Sequence, residues 1–378
     1  MRLFEYEGKE LLRRAGLATM PEKTAATVEE AVSAAALLGY PVVVKAQVLS
    51  GGRGKAGAVK LVRDETSLRD AAAAILGMTI KGEVCETLLV AKAADIAREL
   101  YAGITLDAAT GAPVLIFSTE GGVDIETVAE TAPEKVRKRP LSTLEMPRRH
   151  EILEDMRLAG VHGDMLPKVT TAVQQLIAAF FTHDCTTLEI NPLAVLADGS
   201  CIALDAKAVI DDSALKRQSV VKTGNMALPE LEMRAAAAGV NYVRLEGNVA
   251  VIASGAGLAM ASMDIVNACG CRTASFLDTG GGITSANMAE ALRVTLATPG
   301  VEGVLINIFA GINNCAEVAR GIALVVDEDN PTAALAVRMR GHSQEEGWAL
   351  LEARGIPVIR HGATEEAVRQ LAALLEGR

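Results

Sequence analysis

The stretch Val42-Val-Val-Lys45-Ala-Gln-Val-Leu-Ser-Gly51-Gly52-Arg53-Gly54-Lys55-Ala-Gly57-Ala-Val-Lys60-Leu-Val62 constrains the chain more than any other. Two apolar runs, Val42 to Val44 and Ala58 to Val62, flank a loop rich in glycines and cations, a pattern that predicts strand, mobile glycine loop, strand. Such a loop suits a polyphosphate. Glycines lack the Cβ that would keep backbone N–H groups away from anionic oxygens, Arg53 and Lys55 add charge, and Lys45 stands at the end of the first strand. The competing reading, a solvated hairpin with scattered basic residues, does not explain the tight clustering. A Walker A loop is excluded, because Gly-x4-Gly-Lys-Ser/Thr is absent and no helical pattern follows directly.

Around this hairpin, Glu5 to Ala15 and Thr27 to Leu38 read as helices, with Leu11, Leu12 and Ala15 on one face and Thr27 as an N-cap followed by Glu30. Thr66 to Leu76 is helical, Thr87 to Lys92 is a strand, and Glu99 to Leu106 pairs with Pro113 to Phe117 around Asp107-Ala-Ala-Thr-Gly111. This order predicts a small α+β lobe facing a larger sheet. The aliphatic content is ample: 378 residues, 50% hydrophobic and only 3% aromatic, allow two or three domains. A net charge of −10 argues against nucleic acid as the main ligand. The sequence contains no apolar run of about 18 residues and no signal-peptide core at Met-Arg-Leu-Phe-Glu-Tyr, so a soluble cytoplasmic protein is expected. Cys85, Cys185, Cys201, Cys269, Cys271 and Cys315 are scattered without a Cys-x-x-Cys pair, which suits buried thiols better than disulfides or a zinc site.

Glu189 and Asn191 lie two apart on a short strand and can share a face, while Pro192 argues for a sheet edge or strand end. A turn at Asp198-Gly199 brings back Ser200 to Ala208, which carries Asp205 and Lys207. In an ideal two-residue hairpin Asp205 would oppose Pro192 and face away from Asn191. A bulge or wider turn is needed for the two to share an ion, and a bulge is expected. Asn191 and Asp205 would suit Mg²⁺, which takes few protein oxygens beside phosphates and waters.

From Asp211 to Asn241 the periodicity weakens, and Gly224-Asn225 and Pro229 mark a linker with a helical part from Leu228 to Ala238. Strands then alternate with helices: Asn248 to Ala253, Arg272 to Phe276, Val301 to Ile306, Thr332 to Met339 and Ile356 to Ile359, with helices near Ala259 to Ala268, Ala286 to Leu296, Ala316 to Val326, Gln344 to Arg354 and Thr364 to Glu376. That alternation predicts a doubly wound parallel sheet of flavodoxin-like type, whose ligands bind beyond the carboxyl ends of the strands. Ser254-Gly-Ala-Gly257, Asp278-Thr-Gly-Gly-Gly282, Phe309 to Asn314 and Arg340-Gly-His342 occupy those ends. Gly255-Ala-Gly257 with Asp278 about 20 residues on imitates a dinucleotide fingerprint. Met260 replaces its third glycine, and Gly280-Gly-Gly282 opens a second helix, so two converging helix N-termini predict an oxyanion or phosphate cradle.

Taken together, the glycine loop and the blocks Leu3-Phe-Glu-Tyr6-Glu, Ser118-Thr-Glu-Gly-Gly-Val-Asp-Ile-Glu126, Glu189-Ile-Asn-Pro-Leu193, Ser254-Gly-Ala-Gly-Leu-Ala-Met260, Phe276-Leu-Asp-Thr-Gly-Gly-Gly282 and Asn307-Ile-Phe-Ala-Gly-Ile312 span almost the whole chain. They resemble the β subunit of succinyl-CoA synthetase and related ADP-forming acid-CoA ligases, a group that includes malate-CoA ligase β-like proteins. The resemblance implies an α/β protein with an N-terminal ATP-grasp domain of two lobes over residues 1–225, a linker over 226–245 and a flavodoxin-like CoA-ligase domain over 246–378.

It further implies ATP or GTP bound by Lys45, Gly52, Arg53, Gly54, Ala91, Ala94 and Glu99, with the adenine edge near Val90 to Ala94. Mg²⁺ would sit on Asn191 and Asp205, with Glu189 at the phosphate-transfer end. The acid would be bound by Ser254, Gly311, Ile312, Asn313, Asn314 and Arg340. A partner α subunit would carry a phosphorylated histidine and the CoA site, in an αβ or α2β2 heteromer; His150, His162, His183, His342 and His361 fall in no histidine-loop motif.

Departures from the family pattern are specific. Ala91 stands where a glutamate is usual, Ser254 where an asparagine is usual, Asn314 where an arginine is usual, and Arg340-Gly-His342 where acidic and amide side chains are usual. Ala91 bears on the nucleotide base and leaves ATP or GTP open, while the other three changes predict an acid other than succinate, such as malate or another substituted acid. A self-contained ATP-grasp ligase acting on an amine, and a non-catalytic nucleotide-binding subunit, are the alternatives.

Overall fold

The structure, a computed structural model, describes residues 1–218 and 229–377 and divides the chain into two compact units, Met1–Ala227 and Leu228–Arg378. The turn expected at Gly224-Asn225 lies outside the described residues.

The first unit opens with α1 (Glu5–Arg14), β1 (Glu22–Ala25), α2 (Val28–Leu38), β2 (Val42–Gln47), β3 (Val59–Val62), α3 (Glu65–Ile75), the ribbon of β4 (Thr79–Ile80) and β5 (Glu83–Val84), and β6 (Thr87–Lys92). An antiparallel sheet runs in the order β1-β6-β2-β3. The Thr27 hydroxyl accepts the Glu30 N–H and the Asp64 carboxylate accepts the Ser67 N–H, which satisfies otherwise orphaned donors at the starts of α2 and α3. These helices bury Ala31, Ala34, Ala35, Leu68, Ala72 and Ile75 against Val42, Val44, Leu88 and Val90. Each fully buried Val, Leu or Ile contributes about 1.5–3 kcal/mol. Strand alternation leaves Val43, Lys45, Gln47, Leu89 and Ala91 on the opposite face of the sheet.

The second sheet is built from β7 (Ile96–Leu106), β8 (Pro113–Ser118), β9 (Val136–Pro140), β10 (Cys185–Leu196), β11 (Cys201–Ala203) and β12 (Lys207–Ile210), in the order β11-β10-β7-β8-β9 with β12 also on β10. Between them the chain forms α4 (Ile125–Thr131), α5 (Arg149–Leu158) and α6 (Met165–Thr182). Val169, Val173, Leu176 and Phe180 of α6, Ile152 and Met156 of α5, and Leu11 and Leu12 of α1 close over Leu100, Ala102, Ile104, Leu115 and Phe117.

Pro192 does not mark an edge or strand end. It lies inside β10, which is paired on both sides, at a point where the register against β7 shifts between Ile190 and Leu193. That bulge changes which residues face the core: Leu188 and Ile190 before it, Leu193 and Val195 after it. The returning chain changes phase at the same level, with Ala203 and then Ala206, Ala208 and Ile210 turned inward. Because both chains shift together, their mutual register is unchanged, with Leu193 opposite Ala203 and Glu189 opposite Lys207. Asn191 and Asp205 are therefore level. The correction to the expected hairpin lies in its turn: Leu196 N–H bonds the Ser200 carbonyl at 2.8 Å, enclosing Ala197, Asp198 and Gly199, with Gly199 at φ +76°.

In the second unit, part of the expected linker is structured. It forms α7 (Glu230–Ala237) and β13 (Asn241–Arg244), and β13 pairs antiparallel with β15. Then follow β14 (Val249–Ala253), α8 (Ala256–Ala268), β15 (Thr273–Asp278), α9 (Ser285–Leu296), β16 (Gly303–Ala310), α10 (Cys315–Asp329), β17 (Ala334–Gly341), α11 (Gln344–Glu352), β18 (Val358–Ile359) and α12 (Thr364–Glu376). The parallel strands run β15-β14-β16-β17-β18, the flavodoxin-like order, whose switch point lies between β14 and β16. Every residue of β14 is buried, as a parallel strand covered on both faces requires. Among the described residues no helix is long and apolar enough to cross a membrane.

Candidate active site

In the first unit the residues of the glycine loop converge on Glu5, near the start of α1. Glu5 is 2% exposed, and its carboxylate receives Lys9 Nζ at 2.6 Å, Lys45 Nζ at 2.8 Å and an Arg53 nitrogen at 2.5 Å. Burial alone would raise its pKa; Lys45, Lys9 and Arg53 more than reverse that and hold the carboxyl well below the usual range. Lys45 also donates to the Leu204 carbonyl at 2.7 Å. The second Arg53 nitrogen meets both Asp205 oxygens, at 2.7 and 2.8 Å. Lys45, Arg53 and Asp205 are thus brought together, with Gly52 and Gly54 on either side of Arg53 in the loop. Lys55 points elsewhere, 3.3 Å from Asp124. Glu5 went unrecognised from sequence, although it lies within the Leu3-Phe-Glu-Tyr6-Glu block.

Asn191 and Asp205 are level on neighbouring chains, but their side chains have separate partners. Asn191 accepts the Gly122 N–H and donates to the Val123 carbonyl, both at 2.8 Å, which fastens the 118–126 loop to β10. One Asp205 oxygen also accepts the Ala206 N–H at 2.7 Å. Burial and the nearby Glu5 carboxylate push the Asp205 carboxyl up against the pull of Arg53 and Lys45.

Glu189 lies 3.6 Å from Lys207. Burial pushes its carboxyl up, Lys207 opposes that, and Glu126 adds to it. Tyr101 is pushed up in turn by burial, Glu189 and Glu126, so the phenol lies within the field of both carboxylates. Glu126 is a second residue that sequence reasoning passed over.

Ala91 is buried on the Lys45 face of the sheet, opposite Val43, and Ala94 follows β6. Glu99 lies on β7 under the 118–126 loop, where the Gly121 N–H bonds the Glu99 carbonyl at 3.1 Å. A Cβ on Gly121 would come within 2.5 Å of Leu100 backbone atoms, and Gly122 has φ +72°, so this approach requires glycine at the first position and favours it at the second.

At the carboxyl edge of the second unit, the two glycine loops are already joined by protein groups. One Asp278 oxygen accepts the Gly255 and Gly280 N–H groups at 2.7 and 2.8 Å. Asn313, 3% exposed, accepts from Gly282 and Ile283 and donates to the Gly280 carbonyl. The expected anion cradle therefore has several of its donors filled internally. Asn314 caps α10 by accepting the Ala316 N–H at 2.8 Å, so neither asparagine side chain projects freely. The Ser254 hydroxyl bridges the N–H and carbonyl of Phe309 at 2.9 and 3.2 Å, across the switch point. Phe309 and Ile312 are exposed, Gly311 lies between them, and the partly exposed Arg340 is level with Phe309 on the next strand. Ser254, Gly311, Ile312 and Arg340 thus line one edge.

An ATP-grasp domain model matches residues 2–195 and a CoA-ligase model matches residues 252–372. The chain is 43% identical over 379 residues to the Thermus thermophilus succinate–CoA ligase [GDP-forming] subunit β, covering all of both chains. It is 41% identical to the Rubrobacter xylanophilus succinate–CoA ligase [ADP-forming] subunit β, covering 98% of this chain and 97% of the other. Its fold matches that of ATP citrate lyase from Methanothrix soehngenii, with a TM-score of 0.75 at 19% identity over 98% of this chain and 99% of that one. With both domain models in sequence and relatives aligned from end to end, the chain belongs to the succinate–CoA ligase β-subunit family of acid–thiol ligases.

Proposed function

We propose that the chain is the β subunit of a heteromeric carboxylic acid–CoA ligase driven by ATP or GTP. The terminal phosphoryl group of the nucleotide passes to a histidine of a partner α subunit, leaving the nucleoside diphosphate. The acid carboxylate takes that phosphoryl group as an acyl phosphate, and the CoA thiol then displaces phosphate to give acyl-CoA. The supporting observation is the convergence of Lys45 and Arg53 on the buried Glu5 carboxylate, with Arg53 also reaching Asp205, in a chain alignable from end to end with named ligases.

Lys45 and the Gly52-Arg53-Gly54 loop bind the phosphates, Ala91 and Ala94 border the base, and Glu99 lies on the nucleotide side. Asn191 and Asp205 offer oxygen donors alone, include one carboxylate and are level across the strand pair, a set that fits Mg²⁺ completed by phosphates and waters. When bound, the ion neutralises charge on the phosphates. Glu189, its carboxyl pushed up, lies at the transfer end.

Ser254, Arg340 and the backbone of Gly311 to Asn314 receive the acid. Succinate is the acid named for the relatives; Arg340 favours a second reading, in which malate or another substituted acid is preferred. The assembly is αβ or α2β2 and cytoplasmic.

The test is to incubate the chain, its cognate α subunit and γ-labelled ATP or GTP and follow label on histidine, and then to add the acid and CoA and follow the formation of acyl-CoA. Label should appear on the partner, and acyl-CoA only when both subunits are present. Acyl-CoA made by partner-free chain would overturn the relay.

A further inference from the structure

Arg53 holds two carboxylates at once, Glu5 through one terminal nitrogen and Asp205 through the other. Its two anchors differ in kind. Glu5 belongs to a helix, is almost fully buried, and is held independently by Lys9, which Glu22 fixes in turn at 2.9 Å. Arg53 rides on a loop with Gly52 at φ +94° and Gly57 at φ +72°, and its glycine neighbours are exposed. Glu5 is thus held from a helix, and Arg53 reaches it from a glycine loop at the surface.

We propose that Glu5 is the positioning residue of the phosphate loop, and that it shares Arg53 with Asp205 so that polyphosphate must draw the guanidinium aside before Asp205 can hold a metal ion. The inference rests on the reading of this site as a Mg-nucleotide site. Both Asp205 oxygens face one guanidinium nitrogen, and one of them also takes the Ala206 N–H, so Arg53 engages each oxygen where a metal ion would have to bind. Departure of Arg53 would leave Glu5 compensated by Lys9 and Lys45. Asp205 would keep only the longer-range pull of Lys45 and Lys9 against the repulsion of Glu5, since the Lys45 ammonium bonds Glu5 and the Leu204 carbonyl. A carboxylate stripped of its arginine beside another carboxylate calls for a cation. Polyphosphate and metal binding are therefore coupled, and by reciprocity each strengthens the other.

The first control is ADP binding to the wild-type chain with and without Mg²⁺. Failure to bind in either case, with GDP as well as with ADP, overturns the nucleotide-site reading itself. With binding present, Mn²⁺ is titrated into the nucleotide-free chain and followed by electron paramagnetic resonance. Arg53→Ala should bind Mn²⁺ about tenfold more tightly than wild type, within the usual range of site–site coupling, and adding Asp205→Asn should abolish the gain. Equal or weaker Mn²⁺ binding by Arg53→Ala overturns the proposal.

The role of Glu5 is read separately in Glu5→Gln and in Glu5→Asp, which keeps the charge beside Lys9 and secures the test if Glu5→Gln does not fold. Trypsin should cut the Arg53–Gly54 bond about tenfold faster in these variants, in step with a nucleotide KM raised by a similar factor and an acid KM within about twofold of wild type. An unchanged nucleotide KM with unchanged cleavage, or equal rises in both KM values, would leave Glu5 a purely structural residue.

Discussion

Asn307 and Arg338 are level on neighbouring parallel strands, with one guanidinium nitrogen 3.1 Å from the amide oxygen. The Asn307 amide nitrogen donates to Ser262 and Thr364 hydroxyls, which turns its oxygen toward the arginine. The Arg338 Nε donates to the Gly362 carbonyl at 3.0 Å, so both of these acceptors are neutral. Burial and the neighbouring Arg340 lower the Arg338 pKa against the pull of Glu365. Strand alternation puts Arg338 and Arg340 on one face, and among the described residues neither forms an ion pair with a carboxylate.

A doubly cationic edge should select acids with a polar or anionic substituent. With the cognate α subunit, kcat/KM is expected to be higher for malate or another substituted acid than for succinate. Arg340→Ala should lower it for the preferred acid by about ten- to a hundredfold, the worth of one charged hydrogen bond at about 1.5–3 kcal/mol. A lead for succinate across succinate, malate, citrate, itaconate, acetate, glycolate and sulfoacetate would refute this, as would an unchanged ranking in the variant.

Asp205→Asn keeps the side-chain shape but removes a hard anionic oxygen and weakens the hold on Arg53. Nucleotide-dependent phosphorylation of the partner should fall by about a hundredfold or more, as expected for loss of a metal ligand. Subunit assembly, measured by gel filtration, should be unaffected. Wild-type phosphorylation at limiting Mg²⁺ would count against the assignment.

Because the Glu5 carboxyl is held below its ordinary pKa, its contribution to stability is present above the unfolded value of about 4.3 and is lost as pH falls toward the folded value. Glu5→Gln should therefore be less stable than wild type at neutral pH, by about 3–5 kcal/mol if the broken buried cluster behaves like other such pairs. The gap should narrow as pH drops below about 4. Thermal melts of both proteins across this range are the check, and a gap independent of pH would exclude an electrostatic origin.

Burial pushes the thiols of Cys185 and Cys201 up to about 12, with Asp184 adding to the effect at Cys185. Thiolate is the reactive form, so both should resist iodoacetamide at about pH 8 in the native protein and label readily once unfolded. Mass spectrometry of the alkylated peptides reads this directly. Rapid native labelling of either would show that its surroundings open.

Where local pattern carries the information, the sequence was readable. The Val42–Val62 hairpin, the Thr27 cap and the alternation of strands and helices after residue 248 each follow from a few neighbouring residues. The strand Asn241–Arg244 was missed because it is short and pairs only through β15. Glu5 resembled an ordinary acidic residue in a first helical turn, since two of its cations, Lys45 and Arg53, come from a distant stretch. Asn313 looked like a ligand-binding amide, but the donors it satisfies belong to a loop that only the folded sheet brings near, while Asn314 caps its own helix, a local role that a capping rule could have found. The level placement of Asn191 and Asp205 depends on two chains changing phase together, which no single strand pattern reveals.

The Ala197-Asp198-Gly199 turn consequently acts as a counter for the whole hairpin. Side chains alternate between faces, so removal or insertion of one residue there would slide one chain by a single step and transpose its inner and outer residues. Asp205 would lose its place beside Asn191, while Ala206, Ala208 and Ile210 would turn away from the core they now line. A two-residue change would preserve the alternation and alter only reach. Length variation at this turn among functional relatives should therefore occur in even steps, a parity constraint imposed by the sheet on a loop at the protein surface.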